Sequence, residues 1–222
     1  MNSSRRTARI VGALFLTVNI AFLAGVFTLD PILSAPEYLS IISSKRPQVI
    51  IGVLLEITNA VAYVSIALMM FPILRNRYES MALGFVGFRL LEFVMQILAD
   101  LSPLTLLNVG DEFVKAGASE AASLHAQGAM LLAERFWAFQ MISITFVLGA
   151  VLFYIMMYRS KLIPRFISIW GLIGAAVVLV NTILDMVGFP PGNLGVIMLL
   201  NELFLGVWLI VKGFNQPEEG IG

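Results

Sequence analysis

Residues 166–187 read FISIWGLIGAAVVLVNTILDMV, with Asp185 the one ionisable side chain among them. A helix needs about 20 mostly apolar residues to cross the hydrocarbon core, and this run has that length. Five further runs qualify on the same ground: residues 10–29, 49–74, 81–107, 129–157 and 194–211. Short polar or proline-bearing connections separate them: Asp30-Pro31 to Gln48, Arg75-Asn76-Arg77-Tyr78-Glu79, Arg159 to Arg165, and Gly188 to Asn193. The connection 108–128 is also long and polar, but its Ser119-Glu120-Ala121-Ala122 run favours helix, so the fourth helix is expected to begin several residues before the membrane. No low-complexity stretch or linker divides the chain. The sequence therefore predicts an all-α, polytopic membrane helix bundle of about six transmembrane helices, forming one membrane domain over residues 1–222.

Composition points the same way. The 222 residues are 59% hydrophobic and 13% charged, with a mean hydropathy of +0.92, against about 45–50% and about 25% in soluble domains. A chain of this size has too little interior to hide that much apolar surface from water. The zero formal net charge argues against a nucleic-acid partner, which requires a basic face. With no Cys and only His125 as histidine, thiolate chemistry, iron–sulfur clusters and multi-histidine metal sites are excluded. No metal and no cofactor is expected. No GxSxG, HExxH, P-loop or GxGxxG pattern occurs, so no nucleotide or hydrolase signature supports catalysis.

The first apolar run follows Arg5, Arg6 and Arg9 and so has the flank of a signal peptide. It is longer than an h-region of about 7–15 residues, and its cleavage-like Leu33-Ser34-Ala35 precedes Pro36, a poor context for cutting. It is expected to stay as a helix. Lysine and arginine in the connections orient the chain. Arg5, Arg6, Arg9, Arg75, Arg77, Arg159, Lys161, Arg165 and Lys212 fall on one side, and only Lys45, Arg46 and Lys115 on the other. The richer side is expected to be cytoplasmic, with both termini on it.

The informative residues are ionisable ones inside the spans: Glu56, Arg89, Glu92, Asp100, Glu134, Arg135, Asp185 and Glu202. Each costs roughly 2.5–3.5 kcal/mol at a helix centre facing lipid, so they are expected to face one another or a wet cavity. Arg89, Glu92, Gln96 and Asp100 follow at i, i+3, i+7 and i+11, one stripe of a helix. Glu56, Asn59 and Tyr63 share a face in the second span, Asn181 and Asp185 are one turn apart in the fifth, and Asn19 is the polar group of the first. At 1.5 Å per residue, Glu56, Asp100, Glu134, Arg135, Asp185 and Glu202 fall in the outer half, Glu92 near the midplane and Arg89 towards the inner side. A polar pocket reached from outside and closed below by apolar packing is the expectation. Six carboxylates against two arginines make it acidic when all are ionised.

A purely structural reading competes. Arg89 with Glu92, and Arg135 with one of Glu56, Glu134 or Glu202, are expected as buried ion pairs, and such pairs alone are weak evidence of function. The surplus of acids favours an ion or solute path. Other features read as architecture. Gly84 and Gly87, and Gly171 and Gly174, suggest close helix contacts; Trp137, Trp170, Trp208, Tyr154 and Tyr158 read as interfacial or packing aromatics; His125 reads as a surface residue.

Four blocks in order carry a family resemblance: Leu55-Glu56-Ile57-Thr58-Asn59-Ala60 with Phe71-Pro72-Ile73-Leu74-Arg75; Ala82-Leu83-Gly84-Phe85-Val86-Gly87-Phe88-Arg89-Leu90-Leu91-Glu92; Leu162-Ile163-Pro164-Arg165-Phe166-Ile167-Ser168-Ile169-Trp170-Gly171; and Glu202 with Trp208-Leu209-Ile210-Val211-Lys212-Gly213-Phe214. The chain thereby resembles the bacterial six-helix membrane proteins of domain-of-unknown-function family 4386. The resemblance implies a multi-pass protein of the bacterial cytoplasmic (inner) membrane and no particular activity. Its motif residues Glu56, Arg89, Glu92 and Glu202 coincide with intramembrane charges singled out above.

The leading expectation is a non-enzymatic one: binding or moving a small polar or cationic solute, or protons, through Glu56, Glu92, Asp100, Asp185 and Glu202, with Arg89 and Arg135 as counter-charges. The alternatives are an intramembrane enzyme acting on a lipid-like substrate through a carboxylate acid or base, and a structural accessory subunit of a membrane complex. The bilayer is the expected partner, with an oligomer or a partner subunit a further expectation.

Overall fold

A computed structural model describes residues 3–115, 118–189, 192 and 195–215. The order is α1 Ser3–Leu33, α2 Tyr38–Ser44, α3 Arg46–Lys115, α4 Ala118–Ser160, α5 Arg165–Met186 and α6 Val196–Val211, with no strand among the described residues. The protein is an all-α, multi-pass membrane bundle: α1, α3, α4 and α5 are each long and apolar enough to cross a bilayer. α6 has 16 residues, and position 194, where the sequence places its start, lies outside the described residues, as do 190, 191 and 193 of the preceding turn.

The second and third expected spans are one element. Helical backbone runs through Arg75-Asn76-Arg77 and Glu79, and only Tyr78 leaves it, at φ −138° and ψ 46°. One non-helical residue suffices to fold α3 back on itself, since Gln96 donates to Glu56 at 3.0 Å across its two arms. The expected loop 30–48 is also more ordered than its prolines suggest. α1 continues through Asp30-Pro31 to Leu33, and α2 lies across the end of the bundle. Beyond the apolar run, α3 extends to Lys115 and α4 starts at Ala118, ahead of residue 129 as the helix propensity of that connection predicts.

Six legs stand in a ring: α1, the two arms of α3, α4, α5 and α6, each packed on the next. Lipid contributes no hydrophobic drive between helices, so small residues set the crossings. A Cβ on Gly12 would lie 2.6 Å from the Gly206 carbonyl oxygen, so α1 and α6 meet backbone to backbone there. Gly171 takes the face of the Tyr154 ring, and Gly174 takes Met198. Gly87 has open space where a Cβ would be, so the expected contact at Gly84 and Gly87 rests on Gly84 alone, against Leu152.

Two apolar clusters fill the ring. One, at the Tyr78 end, holds Phe15, Phe85 and Phe153 with ring centroids 5.3–5.9 Å apart. The other, under α2, holds Leu29, Leu39, Ile42, Val49, Leu106 and Leu107. α2 is tied down by Ser43, whose hydroxyl donates to Asp111, and Arg46 at the start of α3 lies 2.6 Å from the same carboxylate. These partners hold the Asp111 carboxyl below the usual carboxylate range, the Ser43 hydroxyl most strongly. The first and last described stretches of the chain both sit at the Tyr78 end: Gly213 adjoins Arg5 and Ala8, and Asn215 hydrogen-bonds Leu162 and Lys161 of the α4–α5 turn.

Candidate functional site

Between the two apolar clusters lies a polar layer. The stripe Arg89, Glu92, Gln96 and Asp100 on the second arm of α3 is buried throughout, as are Glu56 and Tyr63 on the first arm, Arg135 on α4 and Glu202 on α6. Helical spacing selects the face; the ring of neighbours then brings these faces into two clusters.

In the first cluster Arg135 reaches across from α4. Its Nη2 donates to Glu56 Oε1 at 2.6 Å and Oε2 at 2.9 Å, and its Nη1 to the Ala99 carbonyl at 3.2 Å and Asp100 Oδ1 at 3.4 Å. Gln96 donates to both carboxylates, each at 3.0 Å. The partner of Arg135 was open between three acids in the sequence. It is Glu56, with Asp100 as a second that the spacing did not indicate.

In the second cluster Arg89 Nη1 donates to Glu92 at 2.6 Å. The guanidinium lies over Tyr63, 4.3 Å from the ring centre, and over Phe146 at 4.8 Å. The Tyr63 hydroxyl donates to Glu202 Oε2 at 2.7 Å, and Asn19 of α1 stands beside the same carboxylate. Carboxylate, phenol, guanidinium and carboxylate thus follow in a chain across α6 and both arms of α3.

The remaining expected members are placed differently. Glu134 is exposed on α4, because successive helical residues point about 100° apart and its neighbour Arg135 takes the interior. Asp185 is half-buried, accepts a hydrogen bond from Gln140 at 2.8 Å, and does not line the cavity described next. Asn59 holds the Val18 carbonyl of α1 at 2.9 Å. His125 is exposed, edge-on to Phe113.

A cavity of about 470 Å³ opens beside both clusters. Glu56, Asn59, Tyr63, Glu92 and Gln96 of α3 line it, with Asn19 from α1, Ser143 and Phe146 from α4, Asn181 and Thr182 from α5, and Glu202 from α6. Two buried residues outside the expected set steady its walls. Asn201 accepts from the Tyr154 hydroxyl at 2.6 Å and donates to the Ile167 carbonyl at 3.0 Å, joining α4, α5 and α6. Of the two readings of Tyr154, interfacial or packing, the second holds: it is a buried strut. The presence of Asn201 next to Glu202 in an apolar helix was the available signal for it.

Each cluster holds two carboxylates and one arginine, so each carries one surplus negative charge when ionised. A buried carboxylate without a counter-charge is neutralised by a proton or a cation. Among the described residues no ion pair involves Glu202, and no group of three or more His, Asp or Glu is arranged to hold a metal.

No curated protein and no solved structure matches the chain. Residues 10–213, which hold both clusters and the cavity, match the family described as Domain of unknown function (DUF4386). This integral membrane protein belongs to that family.

Proposed function

We propose that the chain binds a small polar or cationic solute in the cavity in exchange for a proton, and so couples the two across a bacterial cytoplasmic membrane. The observation that carries this reading is the two-to-one ratio of acids to arginines in each buried cluster, with Glu202, 3% exposed, hydrogen-bonded by a phenol and in no ion pair among the described residues. Glu202 is the exchange group. Glu56 and Glu92, clamped by Arg135 and Arg89, form charged walls that hold their shape while it titrates, and Asp100 shares the Arg135 clamp without lining the cavity. Tyr63, Arg89 and Glu92 from α3 and Tyr154 from α4 are the titratable and charged groups facing it.

Purified protein in weakly buffered solution should release protons when an accepted cation is added. Glu202→Gln, which keeps the side chain's shape, should fold normally and release none. Absence of any solute-dependent proton release from the native chain across inorganic and organic cations would end this reading.

The orientation belongs to the same proposal. Nine lysines and arginines gather towards the Tyr78 end and three towards the α2 end, which by the positive-inside tendency makes the Tyr78 end cytoplasmic. Single cysteines at Ser43 and Ser123 should label from outside intact cells with an impermeant thiol reagent, and one at Ser160 should not. The absence of natural thiols makes the readout clean, and labelling at Ser160 in intact cells would reverse the assignment.

A further inference from the structure

Resting on the reading of the cavity as a cation site, we infer that its ligand is a lipophilic organic cation that enters sideways from the bilayer through a gap between α1 and α6. Three observations converge on this.

The first is the route. Along the bundle axis the α2 end is stoppered by Leu29, Leu39, Ile42, Val49 and Leu106, each almost fully buried. The Tyr78 end is closed by the Phe15, Phe85 and Phe153 cluster. On the flank, α1 and α6 touch at Gly12 and Gly206, while nearer the α2 end Phe22 and Leu23 of α1 and Val196 and Leu199 of α6 line the cavity, beside Gly192 of the α5–α6 turn.

The second is the rim. Phe22, Leu23 and Val196 line the cavity yet are 45%, 36% and 49% exposed, so they are its edge. A Cβ on Gly195, also lining, would meet nothing among the described residues within 4 Å. Phe22 stands seven residues before Leu29, the end of the apolar run, or roughly 10 Å inside the bilayer at 1.5 Å per residue. A mouth that runs from Phe22 to Val196, the first residue of α6, with phenylalanine, leucine and valine at its edge meets acyl chains along its deeper side.

The third is the chemistry inside. Glu202 faces the cavity as a buried acid in no ion pair among the described residues. Nearby the fold already shows how it keeps a diffuse cation: the Arg89 guanidinium lies on the Tyr63 and Phe146 rings beside Glu92. An organic cation with delocalised or shielded charge meets the same combination of ring, apolar wall and carboxylate. An anion would meet three carboxylates, those of Glu56, Glu92 and Glu202.

The experiment uses the full chain in lipid nanodiscs, with empty nanodiscs subtracted. Three radiolabelled probes are compared: tetraphenylphosphonium, tetraphenylborate as its anionic match in size and lipophilicity, and tetramethylammonium as a cation that avoids the bilayer. Tetraphenylphosphonium should bind saturably, and the other two should not. Glu202→Gln should weaken that binding by about tenfold or more, and acidification should weaken it in the native chain as protons compete for Glu202. Val196→Trp, at an exposed position that the core does not need, should slow association. Saturable binding of tetraphenylborate, unchanged affinity in Glu202→Gln, or affinity indifferent to acidification would overturn the inference. If Glu202→Gln fails to give a monodisperse protein, the Val196→Trp rate and the pH dependence decide it. Binding of tetramethylammonium without tetraphenylphosphonium would sink bilayer entry while leaving the cation site standing. If no cation binds and none releases protons, both fall.

Discussion

Replacing Arg135 by methionine should destabilise the purified protein by roughly 3–5 kcal/mol, the cost of stranding buried charge when one member of a pair is removed. Arg135 supplies two hydrogen bonds to Glu56 and one to Asp100, and both acids are buried between α3 and α4. Without it Gln96 is left as their donor, and one amide cannot offset two carboxylates in an apolar surround. The double substitution Arg135→Met/Glu56→Gln removes a charge of each sign and should recover much of the loss. Acidification should rescue the single variant in the same direction, because protonation discharges the stranded acids. Thermal melts in one detergent across the three proteins check this. Equal melting of single and double variants would show that Glu56 does not depend on Arg135.

The second large effect is expected at Gly12. A leucine there places its Cβ against the Gly206 carbonyl oxygen and within 3.0 Å of the Leu209 Cβ. Backbone cannot yield as a rotamer can, so α1 and α6 must part, at about 3 kcal/mol by the measure of overpacked cores. Gly87→Ala is the matched control. It meets nothing within 4 Å and should be neutral or stabilising by up to about 1 kcal/mol through helix propensity. Melting curves separate the two, and equal loss at both positions would mean that glycine is needed for reasons other than the α1–α6 crossing. The same Gly12 variant bears on the proposed entry route, because parting α1 and α6 at this backbone contact would widen the way to Glu202.

The partners in the two clusters come from different places in the chain. Arg89 and Glu92 are three residues apart on one helix face, so their pairing is local and was legible before folding. Arg135 and Glu56 are far apart in the chain and meet only when α4 packs beside the hairpin of α3.

From residues alone, hydropathy over runs of about 20 determined that this is a membrane helix bundle, because in lipid the backbone must satisfy its own hydrogen bonds and helices are the local way to do so. The four blocks from Leu55 to Phe214 identified the family. Periodicity determined which face of each helix is polar: Arg89, Glu92, Gln96 and Asp100 all lie buried where a 3.6-residue repeat puts them. Only the tertiary structure decided the rest. Periodicity carries no information about which helix stands opposite, so the choice of Glu56 and Asp100 for Arg135, of Tyr63 for Glu202, and the outward turn of Glu134 waited on packing. The same holds for Tyr78, where one residue's dihedral angles make two spans of a single helix, and for the cavity, whose lining comes from α1, α3, α4, α5 and α6 together.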